Sequence, residues 1–324
     1  MNGSYLLVQV SDVHLTTEGI MGPGARPRDN LLRALGAVEA AGLQPDVFLL
    51  TGDLADKGEG ACYDDLAAIL KRAAGTADVV YLPGNHDDRA AFRRHLLGQA
   101  GDGPVNQVLW RGGLRIISLD SVIPGQDGGE LGEEALRFLR AELAAPAPDG
   151  TVVALHHPPV PSPVRPMAAI ALRNPAPLRD AIAGTDVRLV VAGHFHHEAL
   201  GTLGTVPVWV GPAAAYRLDT ASTRAFHSVA GTAVSRIELT PGGPLVSTIP
   251  CIRDEGPGSL QMIQSAARAA CLPGASRRLG HVDAVPRPAA RSRRRRLITA
   301  RHPARTVPRP AVGLHAARRR GTRG

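Results

Sequence analysis

Cysteine, aromatic residues and lysine are all scarce in this sequence. The 324 residues include three cysteines, Cys62, Cys251 and Cys271, which are far apart and form no Cys-x-x-Cys pair. This spacing excludes a disulfide scaffold and a zinc site made of thiolates, and it is typical of a reducing compartment. No apolar run approaches the roughly 20 residues of a membrane-spanning helix. The amino-terminal residues resemble a first strand more than a secretory signal, so we expect a cytoplasmic protein.

Charge is distributed unevenly along the chain. Residues 251–324 contain 17 arginines and three acidic residues, a net charge of +14, whereas residues 1–250 contain 20 basic and 26 acidic residues. The formal net charge of +8 therefore combines a mildly acidic body with a strongly basic tail. This predicts a folded catalytic domain at 1–252 and an Arg/Pro-rich, largely disordered tail at 253–324, in which 259–271 is a candidate short helix.

Short runs of Val, Leu and Ile that stop abruptly at polar residues recur in the first 250 residues. Each run has four to six residues, as expected of a strand that is buried on both faces. The runs are Tyr5–Val10, Val47–Leu50, Val79–Leu82, Ile116–Leu119, Val152–Leu155 and Leu189–Ala192.

Helical periodicity fills several of the gaps between these runs. The helical segments are Asn30–Ala41, Tyr63–Ala74 and Glu133–Leu143. Alternating strands and helices predict an α/β protein. After His197 three consecutive strands with Gly/Pro turns predict an antiparallel end to the sheet system. These strands are Val206–Val210, Ser228–Leu239 and Leu245–Ile249.

Side chains of the types that bind metals come immediately after five of the predicted strands. The crevice beyond the carboxyl ends of strands is the usual ligand site of an α/β sheet, so we expect these side chains to meet there. Glycines before Asp53, Asn85 and His194 allow tight turns and close approach of the backbone. The segments are Asp12-Val13-His14, Gly52-Asp53, Gly84-Asn85-His86-Asp87, His156-His157 and Gly193-His194-Phe195-His196.

The candidate ligands are carboxylate, imidazole and amide groups, without thiolates. This donor set suits Mn²⁺, Fe or Zn²⁺. Seven candidates are too many for one ion with an open position, but they suit two ions that share a bridging carboxylate. The seven are Asp12, His14, Asp53, Asn85, His156, His194 and His196. Two divalent ions, two aspartates and one hydroxide would leave a single positive charge, which complements a phosphodiester better than a phosphomonoester.

The ordered set Asp-x-His, Gly-Asp, Gly-Asn-His-Asp, His-His-Pro-Pro and Gly-His-x-His resembles that of the calcineurin-like metallophosphoesterases, over roughly residues 5–250. Gly84–Phe92 and Leu119–Gly132 are similar to the bacterial class III cyclic-nucleotide phosphodiesterases of the cAMP type. The resemblance implies a four-layer sandwich, in which helices flank two mixed β-sheets. It also implies hydrolysis of 3′,5′-cyclic nucleotides, cAMP to 5′-AMP, through attack by a metal-bridging hydroxide.

The resemblance also implies a role for each candidate residue. Asp53 bridges two ions, of which Mn and Fe are favoured and Zn or Co are alternatives. Asp12, His14 and His196 complete the first site, and Asn85, His156 and His194 complete the second. His157 is a bystander. His86 is the catalytic histidine, and it binds the substrate together with His14, Asn85 and His196. Independently of the resemblance, Asp56 lies three residues after Asp53 and is a candidate to orient His86, or else an exposed loop carboxylate.

Several alternatives remain open at this stage. The substrate could be another diester: a 2′,3′-cyclic nucleotide, a glycerophosphodiester or a nucleotide-sugar diphosphate. The chain could instead be a binding protein, in which the basic tail binds the partner and the metal domain is a scaffold. The tail itself has three interpretations. It could bind anionic surfaces and so associate the protein peripherally with them, it could be a solvated extension, or it could be the product of a frameshift. We expect a small-molecule cyclic nucleotide as partner, consider a homodimer, and predict no specific nucleic-acid partner.

Overall fold

The structure, a computed structural model, describes residues 3–21 and 24–251. The predicted tail at 253–324 and its candidate helix at 259–271 lie outside the described residues. The first half of the domain contains β1 (Tyr5–Val10), α1 (Pro27–Ala40), β2 (Val47–Thr51), α2 (Gly60–Ala73), β3 (Asp78–Leu82), α3 (Arg89–Leu96), β4 (Gln107–Arg111) and β5 (Leu114–Leu119). The second half contains α4 (Glu133–Glu142), β6 (Thr151–Leu155), α5 (Arg165–Ala169), α6 (Ala176–Ile182), β7 (Val187–Ala192), β8 (Ala199–Leu203), β9 (Val206–Val210), β10 (Arg217–Leu218), β11 (Ser228–Val229), β12 (Ala233–Thr240) and β13 (Gly243–Pro250).

Two mixed β-sheets form the centre of the domain. The first sheet has the strand order β13-β12-β1-β2-β3, in which β1, β2 and β3 are parallel and β12 and β13 are antiparallel additions. The second sheet has the order β4-β5-β6-β7-β9-β8, with parallel strands from β5 to β9 and antiparallel strands at both edges. Strands β10 and β11 form a separate small ribbon.

Three apolar cores separate four layers. Alternation along each strand sends one set of side chains between the sheets and the other set outward to the helices. Leu7, Leu49 and Val152 belong to the core between the sheets. Outward residues of the first sheet pack with α1, α2 and α3, and those of the second sheet pack with α4 and α6. The helix–sheet–sheet–helix sandwich implied by the resemblance is therefore confirmed.

The predicted strands agree well with the observed ones. The first six runs are confirmed to within two residues at each end. The segment predicted as one strand at Ser228–Leu239 is two strands, interrupted at Gly231, whose φ is +149°. The antiparallel end is confirmed for β12 and β13, whereas β9 pairs antiparallel with β8 on one side and parallel with β7 on the other. Strand direction depends on which distant strand lies alongside, so local patterning does not report it.

Helices are less completely predicted than strands. Helices α1 and α2 begin three residues before the predicted starts, at Pro27 and Gly60. Helix α3 was not predicted, because its sequence RAAFRRHL buries Phe92 and offers little further apolar periodicity. In the described part of the chain, no helix combines the length and apolarity needed to span a bilayer.

A buried ion pair connects the second sheet to the loops at its amino-terminal edge. Arg115 of β5 is 2% exposed and donates to both carboxylate oxygens of Asp186, at 3.0 and 3.2 Å. It also donates to Thr151 and to the carbonyl groups of Glu142, the last residue of α4, and of Ala145 beyond it. The guanidinium group thus satisfies acceptors from three separate segments.

We expect Arg115→Leu to lower the free energy of unfolding by about 3 kcal/mol, because it leaves the Asp186 carboxylate, which is only 13% exposed, without its counter-charge. Arg111→Leu is the matched control, since Arg111 lies at the surface with Asp46 and Asp78 and its loss should cost less than about 1 kcal/mol. Urea denaturation of both variants measures the difference. Equal losses would contradict the assignment of Asp186 as a charge that depends on Arg115.

Candidate metal centre

The predicted ligands from both sheets meet at one end of the sandwich. Asp12 and His14 follow β1, Asp53 follows β2, and His196 follows β7 of the other sheet. One ligand atom from each of these four residues lies within 4.8 Å of all the others, and all four residues are buried. This group has the composition predicted for the first metal site.

A second group of donors shares Asp53 with the first. The Nε2 atom of His156 lies 3.2 Å from Oδ1 of Asn85, 3.2 Å from Nδ1 of His194 and 3.4 Å from Oδ2 of Asp53. The same Asp53 oxygen lies 3.5 Å from Nε2 of His14 in the first group. The Asp53 carboxylate therefore stands between the two groups, where a bridging ligand would have to be.

The chemistry of these donors fits a pair of divalent cations. The Nε2 atoms of His14 and His196 face each other at 3.2 Å, as do ring nitrogens of His156 and His194. Two imidazole nitrogens at this distance attract each other only through a shared proton or a shared cation. Because carboxylate oxygens complete both groups, the donor set matches Mn, Fe or Zn chemistry.

Each of the four histidines has one ring nitrogen bonded to the protein and the other directed at the centre. A carboxylate or carbonyl oxygen can only accept, so the bonded nitrogen carries the proton and the opposite nitrogen offers its lone pair. The pairs are His14 with the Asp56 carboxylate at 3.1 Å, and His156, His194 and His196 with the carbonyl oxygens of Thr51, Ile170 and Tyr216 at 2.8, 3.0 and 3.0 Å.

The backbone at the centre adopts a conformation that side chains normally disfavour. Left-handed φ angles cost non-glycine residues of the order of 1 kcal/mol each. Within residues 3–21 and 24–251, every non-glycine residue with a positive φ is a predicted ligand. These are Asp12 at 51°, His14 at 49°, Asp53 at 51°, His194 at 69° and His196 at 53°. Such clustered strain is typical of functional sites.

Two glycines allow the ligand loops to pack together. A Cβ atom on Gly84 would overlap the Asp53 carboxylate and would lie 2.8 Å from Nε2 of His156. A Cβ atom on Gly193 would overlap the Ser11 hydroxyl. The close backbone approach predicted from these glycines is confirmed.

The protein environment prepares the ligands electrostatically. Burial raises the pKa of Asp12 to about 6. Burial acts against charge on Asp53 and His156 too, but their mutual attraction outweighs it: the pKa of Asp53 falls well below its usual range and that of His156 rises to about 9. Burial lowers the pKa of His194 and His196, which keeps their imidazoles neutral. A cation would therefore meet the ionised Asp53 carboxylate and the neutral imidazoles of His194 and His196, and it would displace the proton that the raised pKa leaves on His156.

His86 lies at the rim of the centre rather than inside it. Its side chain is 41% exposed, and its Nδ1 donates to the Asp56 carbonyl oxygen at 2.9 Å. Its backbone N–H donates to Oδ1 of Asp53 at 3.0 Å. Asp56 thus contacts both histidines, His86 through its carbonyl group and His14 through its carboxylate. The sequence suggested only the contact with His86.

His157 lies beside the second group but has both ring nitrogens engaged elsewhere. Nδ1 contacts Oγ of Ser121 at 2.8 Å and Nε2 contacts the Asp127 carbonyl oxygen at 3.2 Å. Burial lowers its pKa to about 3. A trio of His156, His157 and His194 also comes within 4.8 Å, but these contacts favour His156 and His194 as the pair that offers lone pairs.

Asp87 lies outside the predicted ligand set, yet its side chain holds two ligand loops together. Its buried carboxylate accepts hydrogen bonds from the N–H groups of Leu54, Ala55 and Gly84 and from the Tyr63 hydroxyl, at 2.8–3.1 Å. These contacts tie the loop after β2 to the loop after β3. The neighbouring Asp88 caps α3 instead, accepting from the Ala91 N–H at 2.8 Å.

Comparison with known proteins shows the family of the chain. The family model for calcineurin-like phosphoesterases matches residues 5–198. A cAMP/cGMP dual specificity phosphodiesterase of Mycobacterium tuberculosis is 42% identical over 219 residues, which cover 66% of this chain and 69% of that protein. A 3′,5′-cyclic adenosine monophosphate phosphodiesterase of Pseudomonas aeruginosa is 32% identical over 199 residues, or 61% of this chain and 71% of that protein. The chain belongs to the calcineurin-like phosphoesterase family.

Solved structures of distant proteins share the fold. GAP50 of Plasmodium superposes with a TM-score of 0.54 at 13% identity, over 84% of this chain and 95% of that chain. Purple acid phosphatase from yellow lupin superposes with a TM-score of 0.56 at 12% identity, over 78% of this chain and 52% of that chain. At these identities the likeness shows the sandwich fold alone.

We expect Asp87→Asn to lower the free energy of unfolding by about 3 kcal/mol, because its amide group would place N–H donors against buried N–H groups. Asp88→Asn is the matched control, since asparagine caps a helix as well as aspartate and the change should stay within about 0.5 kcal/mol. Thermal and urea unfolding measure both variants. A stable Asp87→Asn protein would show that its carboxylate does not hold the two loops.

Proposed function

We propose that this member of the calcineurin-like phosphoesterases hydrolyses 3′,5′-cyclic nucleotides, cAMP to 5′-AMP. The observation that carries the reaction class is the position of the Asp53 carboxylate, within 3.5 Å of donors from both ligand groups. The substrate class is supported by the relatives, whose names describe phosphodiesterases for cAMP and cGMP.

The seven predicted ligands are proposed to hold two divalent ions. Asp12, His14, Asp53 and His196 would hold one, and Asp53, Asn85, His156 and His194 would hold the other. Manganese or iron suits this donor set best, and zinc or cobalt are alternatives. When bound, two such ions lower the pKa of a water molecule and neutralise charge on a phosphoryl group.

The proposed role of His86 is to donate a proton to the leaving 3′ oxygen. Its Nδ1–H is held by the Asp56 carbonyl oxygen, so the ring is oriented with Nε2 toward the substrate. The doubly protonated ring would give its Nε2 proton to the leaving oxygen and would remain as a neutral imidazole. A general acid at this position stabilises the alkoxide that develops as the P–O bond breaks.

Three further side chains are proposed to contact the phosphodiester. Half-buried Asn85 directs its amide oxygen at His156, which leaves its amide N–H groups to donate to a phosphoryl oxygen. His14 and His196 line the opposite side of the centre, and the Tyr216 ring lies 4.3 Å from the His196 ring. A phosphodiester placed there would meet His14, Asn85, His86 and His196.

Two proposals concern partners beyond the substrate. The chain is proposed to form a homodimer, and the basic tail is proposed to contact anionic surfaces and to give peripheral association. Light scattering tests the first. Vesicle or polyanion binding that weakens steeply with salt, and that is lost when residues 256–324 are deleted, tests the second.

We expect the manganese-loaded protein to convert 3′,5′-cAMP to 5′-AMP, measured by chromatography beside 2′,3′-cAMP, a glycerophosphodiester and a nucleotide-sugar diphosphate. Asn85→Ala should abolish detectable hydrolysis, because it removes a ligand and a donor together. Turnover of 2′,3′-cAMP but not 3′,5′-cAMP would keep the metal centre and overturn the substrate. Turnover by Asn85→Ala at the wild-type rate would overturn the mechanism.

We expect the effect of His86→Ala to depend on the leaving group. Removal of a general acid typically slows a reaction by roughly 10²–10⁴-fold. That loss should appear with 3′,5′-cAMP, whose leaving alkoxide needs a proton, and should nearly vanish with an aryl phosphodiester, whose phenolate leaves without one. His95→Ala, which removes an imidazole paired with Asp64, is the control. Equal losses on both substrates would contradict proton donation by His86.

A further inference from the structure

Gln9 is a buried amide in the mainly apolar space between the two sheets. It lies in β1, two residues after Leu7, which belongs to the core between the sheets. Gln9 is 1% exposed. A long polar side chain in this position must satisfy its hydrogen-bonding groups inside the protein or cost several kcal/mol.

Gln9 satisfies those groups by joining the two sheets. Its Nε2 donates to Oγ1 of Thr51 in the first sheet at 2.9 Å and to the carbonyl oxygen of Ala192 in the second sheet at 2.8 Å. Its Oε1 accepts from the Ser235 hydroxyl at 3.1 Å. That hydroxyl accepts from Nε1 of Trp209, which belongs to the second sheet, at 2.9 Å.

The two residues tied by Nε2 are the last residues before the ligand loops. Thr51 ends β2 two residues before Asp53, and Ala192 ends β7 two residues before His194. The Thr51 carbonyl oxygen also accepts from Nδ1 of His156. The Gln9 amide therefore joins the Thr51 hydroxyl to the Ala192 carbonyl group, directly before the loops that carry ligands of both groups.

Each ligand group needs both sheets. The first takes Asp12, His14 and Asp53 from one sheet and His196 from the other; the second takes His156 and His194 from one sheet and Asn85 and Asp53 from the other. Apolar packing between sheets is non-directional and tolerates small displacements, whereas ligand distances do not. A directional bond across the sheets is therefore needed near the ligands.

We infer that Gln9 is a positioning residue for the metal centre, which holds the carboxyl ends of β2 and β7 at the separation that two cations require. Gly211 supports this placement, because a Cβ atom there would overlap the Gln9 amide group. The inference rests on the proposed function, since it presupposes that the two ligand groups hold cations.

Manganese binding by the purified full-length chain tests this inference. Gln9→Leu fills similar space but removes all three hydrogen bonds. We expect apparent Mn²⁺ affinity, measured by calorimetric titration, to fall roughly 10- to 100-fold, as for loss of other groups that support metal ligands. The exchange-coupled EPR signal of the manganese pair should weaken as well. Thr51→Val removes one of the two donor contacts and should give a smaller loss of affinity.

Leu7→Ala is the matched control on the same face of β1. It creates a cavity between the sheets without touching the Gln9 hydrogen bonds, so the melting temperature should fall while Mn²⁺ affinity and the coupled signal stay as in the wild type. Equal loss of affinity in Leu7→Ala and Gln9→Leu would overturn the inference, because general loosening of the core would explain both. Should Gln9→Leu not fold, the comparison of Thr51→Val with Leu7→Ala decides in the same way.

The wild-type titration distinguishes failure of the Gln9 role from failure of the proposed function. Two manganese ions bound by the wild type, with unchanged binding by Gln9→Leu and Thr51→Val, would overturn the role of Gln9 and leave the proposed function standing. A wild-type chain that binds no manganese pair would overturn the metal assignment and the role of Gln9 with it.

Discussion

The fold holds imidazole nitrogens and carboxylate oxygens close together at one end of the sandwich. These groups would move apart if the backbone did not fix them. Ring nitrogens of His14 and His196 face each other at 3.2 Å, and both side chains are buried. Asp12 is buried so fully that its pKa rises to about 6. An arrangement of this kind is unfavourable until a cation binds, so it exists only because the rest of the structure enforces it.

The backbone conformation is the first feature that keeps these groups together. Parallel strands end at the same edge of a sheet, but an extended chain continues in the strand direction and carries its next side chains past the centre. A left-handed residue turns the chain sharply, and this occurs at Asp12, His14, Asp53, His194 and His196. The turns are stabilised by hydrogen bonds between loops, such as His14 N–H to the Asp53 carbonyl oxygen at 2.8 Å. Strain at each ligand is thus offset by contacts that only the folded sandwich supplies.

Much of the fold and of the cluster of candidate ligands could be predicted from the sequence because both leave local marks. A buried parallel strand must be a short continuous apolar run, and a ligand must be Asp, Asn or His immediately after it. The carbonyl oxygens of Ile170 and Tyr216, which orient His194 and His196, leave no such mark, since every residue has a carbonyl group. The partners of Arg115 and Gln9 lie far away in the sequence, and only the tertiary fold brings them together.

Apolar contacts and polar contacts have different roles in holding the layers of the sandwich together. Between Tyr5 and Gln9 of β1 the contacts across the sheets are apolar, and Leu7 supplies stability without direction. At the end away from the centre, the Tyr5 hydroxyl donates to Asp149 at 2.6 Å.

On the flank next to His86, Arg89 forms two hydrogen bonds of 2.9 Å with the buried Asp120 carboxylate, which joins the first turn of α3 to the end of β5. Polar groups buried in this way add little net stability, but they allow only one register. A centre built from two sheets needs that single register more than it needs further stability, which explains why amide and ionic groups lie among the apolar contacts between these layers.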